Sequence, residues 1–221
     1  MNKKLVIFDL DGTLLDTSED LKNSMNKMLE SYGYPLITAD DAKRFIGNGA
    51  RMFVLRSLPD YAKDKVDEAM AKYNDFYNNS GSPCTHLYAG MDEVLEFCNK
   101  EAGLKTAIVS NKPQASTDAV YEEYLSSYPF DYVYGRREGF GHKPDKECGE
   151  YVLNALGCDK NDTIVVGDGE TDVKFAINLG AKCISVLWGY RPKEVLRKEG
   201  ADTFVETPKE LLEEIKKFAE K

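Results

Sequence analysis

Two aspartates follow directly after a short apolar run near the start of the chain. Residues 5–8 lead into Asp9 and Asp11, which are separated by one residue and followed by Gly12 and Thr13. Two carboxylates this close repel each other unless a cation lies between them. The pair therefore predicts a cation site, and the apolar run predicts a buried strand that ends there.

Three further segments carry polar side chains of the kind that bind phosphate or a metal. Two of them follow β-branched apolar runs, as the aspartate pair does, and the third precedes a helical pattern. Ligands of open parallel sheets bind beyond the carboxyl ends of the strands, so we expect all four segments to meet at one edge of a sheet. The three segments are Ser110-Asn111-Lys112, His142-Lys143-Pro144 and Gly167-Asp168-Gly169-Glu170-Thr171-Asp172.

The combined set suits Mg²⁺ and a phosphate group. Three carboxylates with backbone oxygens form the hard oxygen site that Mg²⁺ prefers. The metal and Lys143 would neutralise the acids, and a phosphate would be held by the metal, the lysine, hydroxyls and backbone N–H groups. Gly12 would let the backbone approach the ligand closely after the strand.

The elements that must position these residues alternate between strands and helices. Apolar runs without alternation are typical of parallel strands covered on both faces. Four such runs lie at 5–8, 106–109, 163–166 and 183–186, with weaker strand candidates at 132–134 and 203–205. Helical patterns at 90–100, 146–156 and 170–179 lie between them. This rhythm predicts an α/β fold with a doubly wound parallel sheet.

The segment 18–87 breaks the rhythm and has only helical patterns. Ser18 is a candidate cap for a first helix, and Thr38 with Asp41 predicts a capping box at a second. We therefore expect an all-α insert at 18–87, between the two parts of an α/β core formed by 1–17 and 88–221. The Lys/Glu-rich tail at 209–221 is expected to be a surface helix.

Composition and charge exclude several classes of protein. The 221 residues are 42% apolar, which is enough for a core, and the net charge of −9 with no basic run disfavours a nucleic-acid partner. The apolar runs are strand-sized, so we expect no membrane span or signal peptide. Five cysteines without a CxxC pair indicate free thiols in a reducing cytoplasm, and the two histidines give no zinc-ligand spacing.

The four segments, in this order, resemble the four motifs of the haloacid dehalogenase superfamily, and the helical insert resembles its small cap. The resemblance implies a Rossmann-like core and a phosphoryl-transfer mechanism. Asp9 would be the nucleophile that forms an aspartyl-phosphate, and Asp11 would protonate the leaving group and then activate water. The matching residues are Asp9-Leu10-Asp11-Gly12-Thr13-Leu14, Ser110-Asn111, Lys143-Pro144 and Gly167-Asp168 through Asp172.

The same resemblance implies a cofactor and its ligands. Mg²⁺ would be held by the Asp9 carboxylate, the Asp11 main-chain oxygen and Asp168, with Asp172 supporting it directly or through another ligand. The phosphoryl group would be held by Thr13, Ser110, Asn111 and Lys143. The fourth motif often reads Gly-Asp-Ser or Gly-Asp-Asn, but here Gly169 offers no side chain, so the metal would depend on Glu170, Asp172 or water.

An acid at Asp11 resembles phosphatases and phosphomutases rather than ion-pumping ATPases or phosphonate hydrolases. The loop Gly47-Asn48-Gly49 with Arg51 resembles the cap loop of phosphoglycolate phosphatases, and Arg51 could meet a substrate carboxylate. The glycines could equally end a helix, Arg51 could be a surface residue, and Lys112 could contact phosphate or lie at the rim.

We therefore expect a cytoplasmic phosphatase, monomeric or homodimeric, that acts on a small phosphorylated metabolite, with phosphoglycolate as the first candidate. A β-phosphoglucomutase-like mutase is the alternative, and sugar phosphates, nucleoside monophosphates and pyrophosphate stay open as substrates. A non-catalytic binding module would be expected to have lost the nucleophile or the metal aspartates. This chain keeps both, which disfavours that class.

Overall fold

The computed structural model describes residues 3–220, and for Glu101 the backbone alone. The chain forms two compact units. One unit contains the chain up to Leu15 and from Leu87 onward, and the other contains Asp16–His86. The second unit starts two residues before the predicted insert and ends one residue before the predicted end.

The strands confirm the doubly wound parallel sheet. In chain order they are β1 (Lys3–Phe8), β2 (Leu15–Asp16), β3 (His86–Leu87), β4 (Lys105–Pro113), β5 (Tyr132–Arg136), β6 (Cys158–Gly167), β7 (Lys182–Val186) and β8 (Phe204–Val205). Six of them form one sheet in the order β5-β4-β1-β6-β7-β8 with parallel pairing throughout. The strands β1 and β6, which lead into two of the four motifs, and β4, which carries a third at its end, are neighbours.

The helices of the second unit are α1 (Ser18–Ser31), α2 (Ala39–Phe45), α3 (Ala50–Ser57) and α4 (Val66–Ser80), with a 3₁₀ helix at Asp60–Lys65. The helices of the first unit are α5 (Met91–Glu96, continued by a π-helical turn at Phe97–Glu101), α6 (Gln114–Tyr124), α7 (Glu147–Leu156), α8 (Glu170–Leu179), α9 (Lys193–Lys198) and α10 (Pro208–Glu220). Within the described residues no helix is long and apolar enough to cross a membrane.

Alternate residues of β1 point to opposite faces of the sheet, and helices cover both faces. Phe8 packs in one core cluster with Leu95 of α5 and Ile215 of α10, and Ile7 packs in another with Phe175 of α8. Burying each such side chain stabilises the fold by about 1.5–3 kcal/mol. The coverage of both faces explains why the strand sequences are apolar without alternation.

Of three sequence predictions about the helical segment, one is confirmed and two are corrected. The capping box is confirmed, since the Asp41 N–H donates to Thr38 Oγ1 and the Thr38 N–H donates to Asp41 Oδ2, both at 3.1 Å. Ser18 does not cap α1 but is its first residue, and its N–H donates to Asp16 Oδ1 at 3.0 Å. Residues 86–87, predicted as part of a helical insert, form β3.

The C-terminal tail is more than a surface helix. Its helix α10 buries Leu211, Ile215 and Phe218 against the sheet, while its charged residues face outward. An apolar side chain every three or four residues places one stripe of the helix on the core. The prediction from charge content missed this stripe.

Candidate active site

Neighbouring strands bring the motif residues to one edge of the sheet. The polar segments follow the carboxyl ends of β1 and β6 and occupy the end of β4. A further residue, Lys143, comes from the segment between β5 and α7. The residues brought together in this way are Asp9, Asp11, Ser110, Asn111, Lys112, Lys143, Asp168 and Asp172.

Asp9, Asp168 and Asp172 form an acidic cluster. Each offers one carboxylate oxygen, and these oxygens lie within 4.8 Å of one another. Asp168 and Asp172 are buried. A group of hard oxygen donors at this spacing fits a divalent cation such as Mg²⁺. The Asp11 side chain points to a different partner, described below, so its predicted metal contact depends on its main-chain oxygen.

Lys143 supplies positive charge to the cluster. Its side chain is 2% exposed, and its Nζ lies 2.7 Å from Asp9 Oδ1 and 2.6 Å from Asp172 Oδ1. Burial by itself would lower the pKa of Lys143, but the charges of Asp172 and Asp9 outweigh it and raise the pKa above its ordinary value. Lys143 therefore stays protonated and neutralises one of the three acids.

One lysine does not balance the three carboxylates of the cluster. Burial, together with the charge of Asp172, raises the pKa of Asp168 to about 7. Burial and the charge of Asp172 also raise the pKa of Asp9 well above its ordinary value, although Lys143 opposes this shift. Without a further cation the cluster thus prefers to hold protons at neutral pH, and a divalent cation would take their place.

This charge balance predicts how stability depends on pH. The pKa of Asp168 is higher in the folded protein than in the unfolded chain. Its contribution to stability is therefore fully present at a pH below the pKa of the unfolded chain, and it is lost as the pH rises through about 7. In the presence of a chelator, we expect the contribution of Asp168 to the free energy of unfolding to fall by about 2 kcal/mol between about pH 5.5 and about pH 8.

The measurement is denaturant unfolding of the wild type and of Asp168→Asn at both pH values, with chelator and with Mg²⁺. The difference between the two proteins isolates Asp168 from the other carboxylates. Mg²⁺ should add more stability to the wild type at the higher pH, where it displaces no proton. A chelated wild type that gains stability relative to Asp168→Asn as pH rises would contradict the charge balance.

Asp168 is held by hydrogen bonds on both of its oxygens. Thr13 Oγ1 donates to Oδ1 at 3.1 Å, and the Tyr190 N–H donates to Oδ2 at 2.7 Å. Trp188 in turn donates from Nε1 to the Thr13 carbonyl at 3.1 Å. The observed contact of Thr13 is therefore with Asp168, and its contact with a phosphoryl group stays a prediction.

Two glycines leave the space that Asp168 occupies. Gly12 has a φ of +88°, in the left-handed region, and a Cβ there would lie 2.5 Å from Asp168 Oδ2. Gly189 has no unusual φ, but its Cβ would lie 2.3 Å from Asp168 Cβ. The backbone thus approaches the Asp168 carboxylate from two sides.

Gly189→Ala is expected to displace Asp168 and to lower activity by about 10²-fold, because a shift of about 1 Å in a positioned group has effects of that size. Gly169→Ala is the comparison, since its Cβ would meet its nearest atom, Asp172 Oδ2, at 3.2 Å and the displacement would be smaller. Steady-state kinetics with a titration of Mg²⁺ measures both. Equal activity in Gly189→Ala and wild type would contradict this role.

Asp172 is fixed at the start of α8. The Gly169 N–H donates to Asp172 Oδ2 at 2.9 Å, which leaves Oδ1 for Lys143. Because Gly169 has no side chain, Glu170 and Asp172 were the side chains predicted to support the metal. Asp172 belongs to the acidic cluster, whereas Glu170 accepts a hydrogen bond of 2.6 Å from Arg191 Nε.

Asp9 presents its two oxygens differently. The Leu10 N–H and Lys143 Nζ both contact Oδ1, each at 2.7 Å. The Asp9 N–H donates to the Val166 carbonyl of β6 at 2.9 Å, which ties the end of β1 to its neighbouring strand. The main chain is thereby fixed, and both of these contacts of the carboxylate fall on Oδ1.

The end of β4 holds the remaining polar residues. The Asn111 amide donates to the Lys143 carbonyl at 3.0 Å, so it links two motif segments. Ser110 and Asn111 are buried. The Lys112 N–H donates to Ser110 Oγ at 3.1 Å, and the Ser110 hydroxyl keeps its own proton to donate. Their contacts with a phosphoryl group stay predictions.

The candidate residues of the helical unit lie together at the start of α3. Gly47 and Gly49 both have left-handed φ values, of 112° and 85°, so their loop needs glycine at these positions. Arg51 lies in the first turn of α3, and its Nη2 pairs with Asp67 Oδ1 at 3.0 Å. Their roles toward a substrate stay predictions.

The run Trp188-Gly189-Tyr190-Arg191 resembles phosphoglycolate phosphatases in sequence, but the sequence predicts no role for it toward Asp168. The segment that follows β7 supplies the Tyr190 N–H, the space at Gly189 and the indole of Trp188. The rule that ligands of open parallel sheets bind beyond the strand ends points to this segment after β7, but Trp188, Gly189 and Tyr190 are not the polar residue types that marked the other segments.

Comparison with known proteins decides the family. The model of the family described as haloacid dehalogenase-like hydrolase matches residues 6–186. This chain belongs to the haloacid dehalogenase-like hydrolase family. The resemblance read from the four motifs is therefore confirmed, and the chain is an enzyme of the hydrolase class.

Relatives and solved structures agree with the family. A phosphoglycolate phosphatase of Aliivibrio fischeri is 30% identical over 95% of each chain. Phosphoglycolate phosphatase 1 of Pseudomonas aeruginosa is 29% identical over 95% of this chain and 78% of the relative. The structure of a candidate phosphoglycolate phosphatase from Lactobacillus delbrueckii subsp. bulgaricus has a TM-score of 0.89 and 28% identity, and covers 97% of this chain and 99% of that one.

Proposed function

We propose that this phosphatase hydrolyses a small phosphomonoester through an aspartyl-phosphate on Asp9, depends on Mg²⁺, and has 2-phosphoglycolate as its leading substrate. The observation that carries the proposal is the pairing of Asp9 with buried Lys143 inside the acidic cluster. The names of the relatives support the substrate, and they are phosphoglycolate phosphatases.

Asp9 acts as the nucleophile. Lys143 and the Leu10 N–H hold Oδ1, so Oδ2 forms the bond to phosphorus as the ester bond breaks. Lys143 also offers positive charge beside the point where charge builds up on the transferred group. The buried lysine therefore both orients the nucleophile and stabilises the transition state.

Asp11 carries the protons of both half-reactions. It gives a proton to the leaving oxygen in the first, and in the second it takes a proton from the water that hydrolyses the aspartyl-phosphate. Its side chain is 13% exposed, so solvent can reach it. An acid at this position is what allows the same residue to serve both steps.

The metal ligands in this proposal are the carboxylates of Asp9, Asp168 and Asp172 and the main-chain oxygen of Asp11. When bound, Mg²⁺ supplies positive charge that neutralises the acids and polarises a phosphoryl oxygen. Thr13 and the Tyr190 N–H keep Asp168 oriented for this purpose. Ser110, Asn111 and Lys143 bind the phosphoryl oxygens from the other side.

The helical unit selects the substrate as a cap domain. The Arg51–Asp67 pair is exposed, at 51% and 83% of the side chains, and such pairs contribute about 0–1 kcal/mol. The Arg51 guanidinium can therefore exchange Asp67 for a substrate carboxylate at little cost. Gly47 and Gly49 give the neighbouring loop its turn.

The test is phosphate release from a panel of 2-phosphoglycolate, β-glucose 1-phosphate, sugar phosphates, nucleoside monophosphates and pyrophosphate. We expect 2-phosphoglycolate to exceed the others by at least about tenfold in kcat/KM. Excess chelator should abolish the activity and added Mg²⁺ should restore it. Full activity in chelator would contradict the metal, and a flat panel would contradict the substrate.

The mutase alternative gives a different result in the same assay. Conversion of β-glucose 1-phosphate into glucose 6-phosphate after addition of glucose 1,6-bisphosphate, without phosphate release, would replace the phosphatase proposal. We also propose a cytoplasmic location, in which the five free cysteines stay reduced, and a monomer or homodimer, which sedimentation of the purified protein would test.

A further inference from the structure

A second buried lysine lies in the site beside Asp11. Lys112 is at the end of β4, two residues after Ser110, and its side chain is 5% exposed. Its Nζ lies 3.1 Å from Asp11 Oδ1. An ammonium group is costly to bury unless a carboxylate lies close to it, so this contact belongs to the folded structure and not to a mobile surface pair.

The two buried lysines serve different aspartates. Lys143 contacts Asp9 and Asp172 of the acidic cluster, whereas Lys112 contacts Asp11. In the proposed reaction Asp9 forms the covalent bond and Asp11 moves the protons. Each of the two reacting carboxylates therefore has its own cation, on a different segment of the chain.

The main chain of Lys112 is fixed on both sides. Its N–H donates to Ser110 Oγ at 3.1 Å, and its carbonyl accepts from Thr117 Oγ1 of α6 at 3.2 Å. Both hydroxyl residues are buried. The fixed backbone sets where the lysine side chain starts, and the burial of that side chain, which is 5% exposed, restricts where its ammonium group can lie.

We propose that Lys112 is a positioning residue that holds the Asp11 carboxyl group in the orientation for proton transfer. The inference rests on the proposed phosphatase mechanism. Lys112 contacts Oδ1 of the carboxyl group that moves the proton. That proton passes to the ester oxygen as its bond to phosphorus breaks and the Asp9–phosphorus bond forms. In the second step the Asp11 carboxylate receives a proton from the attacking water as the Asp9–phosphorus bond breaks, and Lys112 takes no part in the proton transfer itself.

A positioning role has a signature that two other roles lack. Nitrophenolate leaves without a proton at neutral pH, whereas an alkoxide must be protonated as it leaves, so only alkyl esters depend on the acid. If Lys112 instead contacted the phosphoryl group, its replacement would lower kcat/KM equally for aryl and alkyl esters. If Lys112 bound the carboxylate of the substrate, its replacement would lower kcat/KM only for an ester that carries a carboxylate.

The experiment measures kcat/KM, which reports the reaction up to formation of the aspartyl-phosphate, for three esters with Mg²⁺. They are 2-phosphoglycolate, 2-hydroxyethyl phosphate, which replaces the carboxylate by an alcohol, and p-nitrophenyl phosphate. The variants are Lys112→Met, which removes the charge, and Lys112→Arg, which keeps it. Lys105→Met, at the other end of β4 and ion-paired with Asp131, is the matched control.

We expect Lys112→Met to lose about 10–10²-fold on both alkyl esters and less than about threefold on p-nitrophenyl phosphate. Lys112→Arg should recover, on a logarithmic scale, at least about half of the kcat/KM that Lys112→Met loses on the alkyl esters. Lys105→Met should leave the ratios of kcat/KM between the three esters unchanged. The ratio of two esters on one preparation is independent of the fraction that is folded, so partial unfolding does not imitate the result.

Two further variants test the link to Asp11. Adding Lys112→Met to Asp11→Asn should cause little additional loss on the alkyl esters, because the group that it positions is absent. Equal losses on all three esters, or a loss on 2-phosphoglycolate alone, would overturn the inference while leaving the phosphatase intact. A wild type that releases phosphate from none of the esters would overturn the proposed function and the inference together.

Discussion

Replacing Asp9 by asparagine is expected to lower kcat by at least about 10⁴-fold, because the amide cannot form the aspartyl-phosphate. The fold should survive the change. Burial and Asp172 make the Asp9 charge unfavourable in the metal-free protein, so a neutral side chain of the same shape relieves repulsion. Asp9→Asn in chelator should therefore unfold at a temperature equal to or higher than that of the wild type.

The measurement combines steady-state kinetics with rapid quench and intact-protein mass spectrometry. The wild type should gain the mass of one phosphoryl group during turnover, and Asp9→Asn should not. Asp202→Asn removes the same charge at an exposed position and is the matched control. If Asp9→Asn kept activity within tenfold of the wild type, Asp9 would not be the nucleophile.

Replacing Lys143 by methionine is expected to destabilise the metal-free protein by about 3–5 kcal/mol near pH 8, the range observed when one partner of a buried ion pair is removed. Methionine fills similar space but leaves Asp9 and Asp172 without the cation that lies 2.7 Å and 2.6 Å from them. Activity should fall by at least about 10²-fold, because the nucleophile loses its orienting partner and the transition state loses a charge.

Conditions that neutralise the cluster should reduce the stability loss. Protonation near pH 5 or saturating Mg²⁺ should reduce it, and adding Asp172→Asn should do so at any pH. Lys146→Met is the control, since Lys146 lies three residues along the chain and pairs with Glu150 at 2.8 Å on the surface. A loss in Lys143→Met no larger than that in Lys146→Met would contradict the electrostatic role of Lys143.

The sheet could be predicted from the sequence because parallel strands covered on both faces read as short apolar runs. The runs at 5–8, 106–109, 163–166 and 183–186 lie within β1, β4, β6 and β7. The ends were less well predicted, since β6 begins at Cys158, before its apolar run, and the polar stretch of that strand has no signal of its own.

The identity of the acidic cluster could also be predicted, because each aspartate follows a strand end and the strand ends meet at one edge. The geometry separated the two side chains that were candidates to support the metal, and the metal contact itself stays a prediction. Asp172 joined the cluster, whereas Glu170 paired with Arg191, and spacing along α8 does not distinguish these outcomes.

The residues that support the cluster came only from the tertiary structure. The Tyr190 N–H acts through the backbone, which residue type does not reveal, and a glycine at 189 does not by itself indicate that Asp168 lies against it. The sequence could not distinguish a Lys112 side chain that faces solvent from one that contacts Asp11, because its burial depends on what packs over the end of β4.

The sequence by itself determined which strands exist and which acids and lysines stand near their carboxyl ends, because local residue pattern and parallel pairing fix them. The tertiary structure alone decided the partners: Lys143 for Asp9 and Asp172, Lys112 for Asp11, and Thr13 with Tyr190 for Asp168. These partners lie far apart along the chain, and contacts of that kind depend on distances that only the packed fold sets.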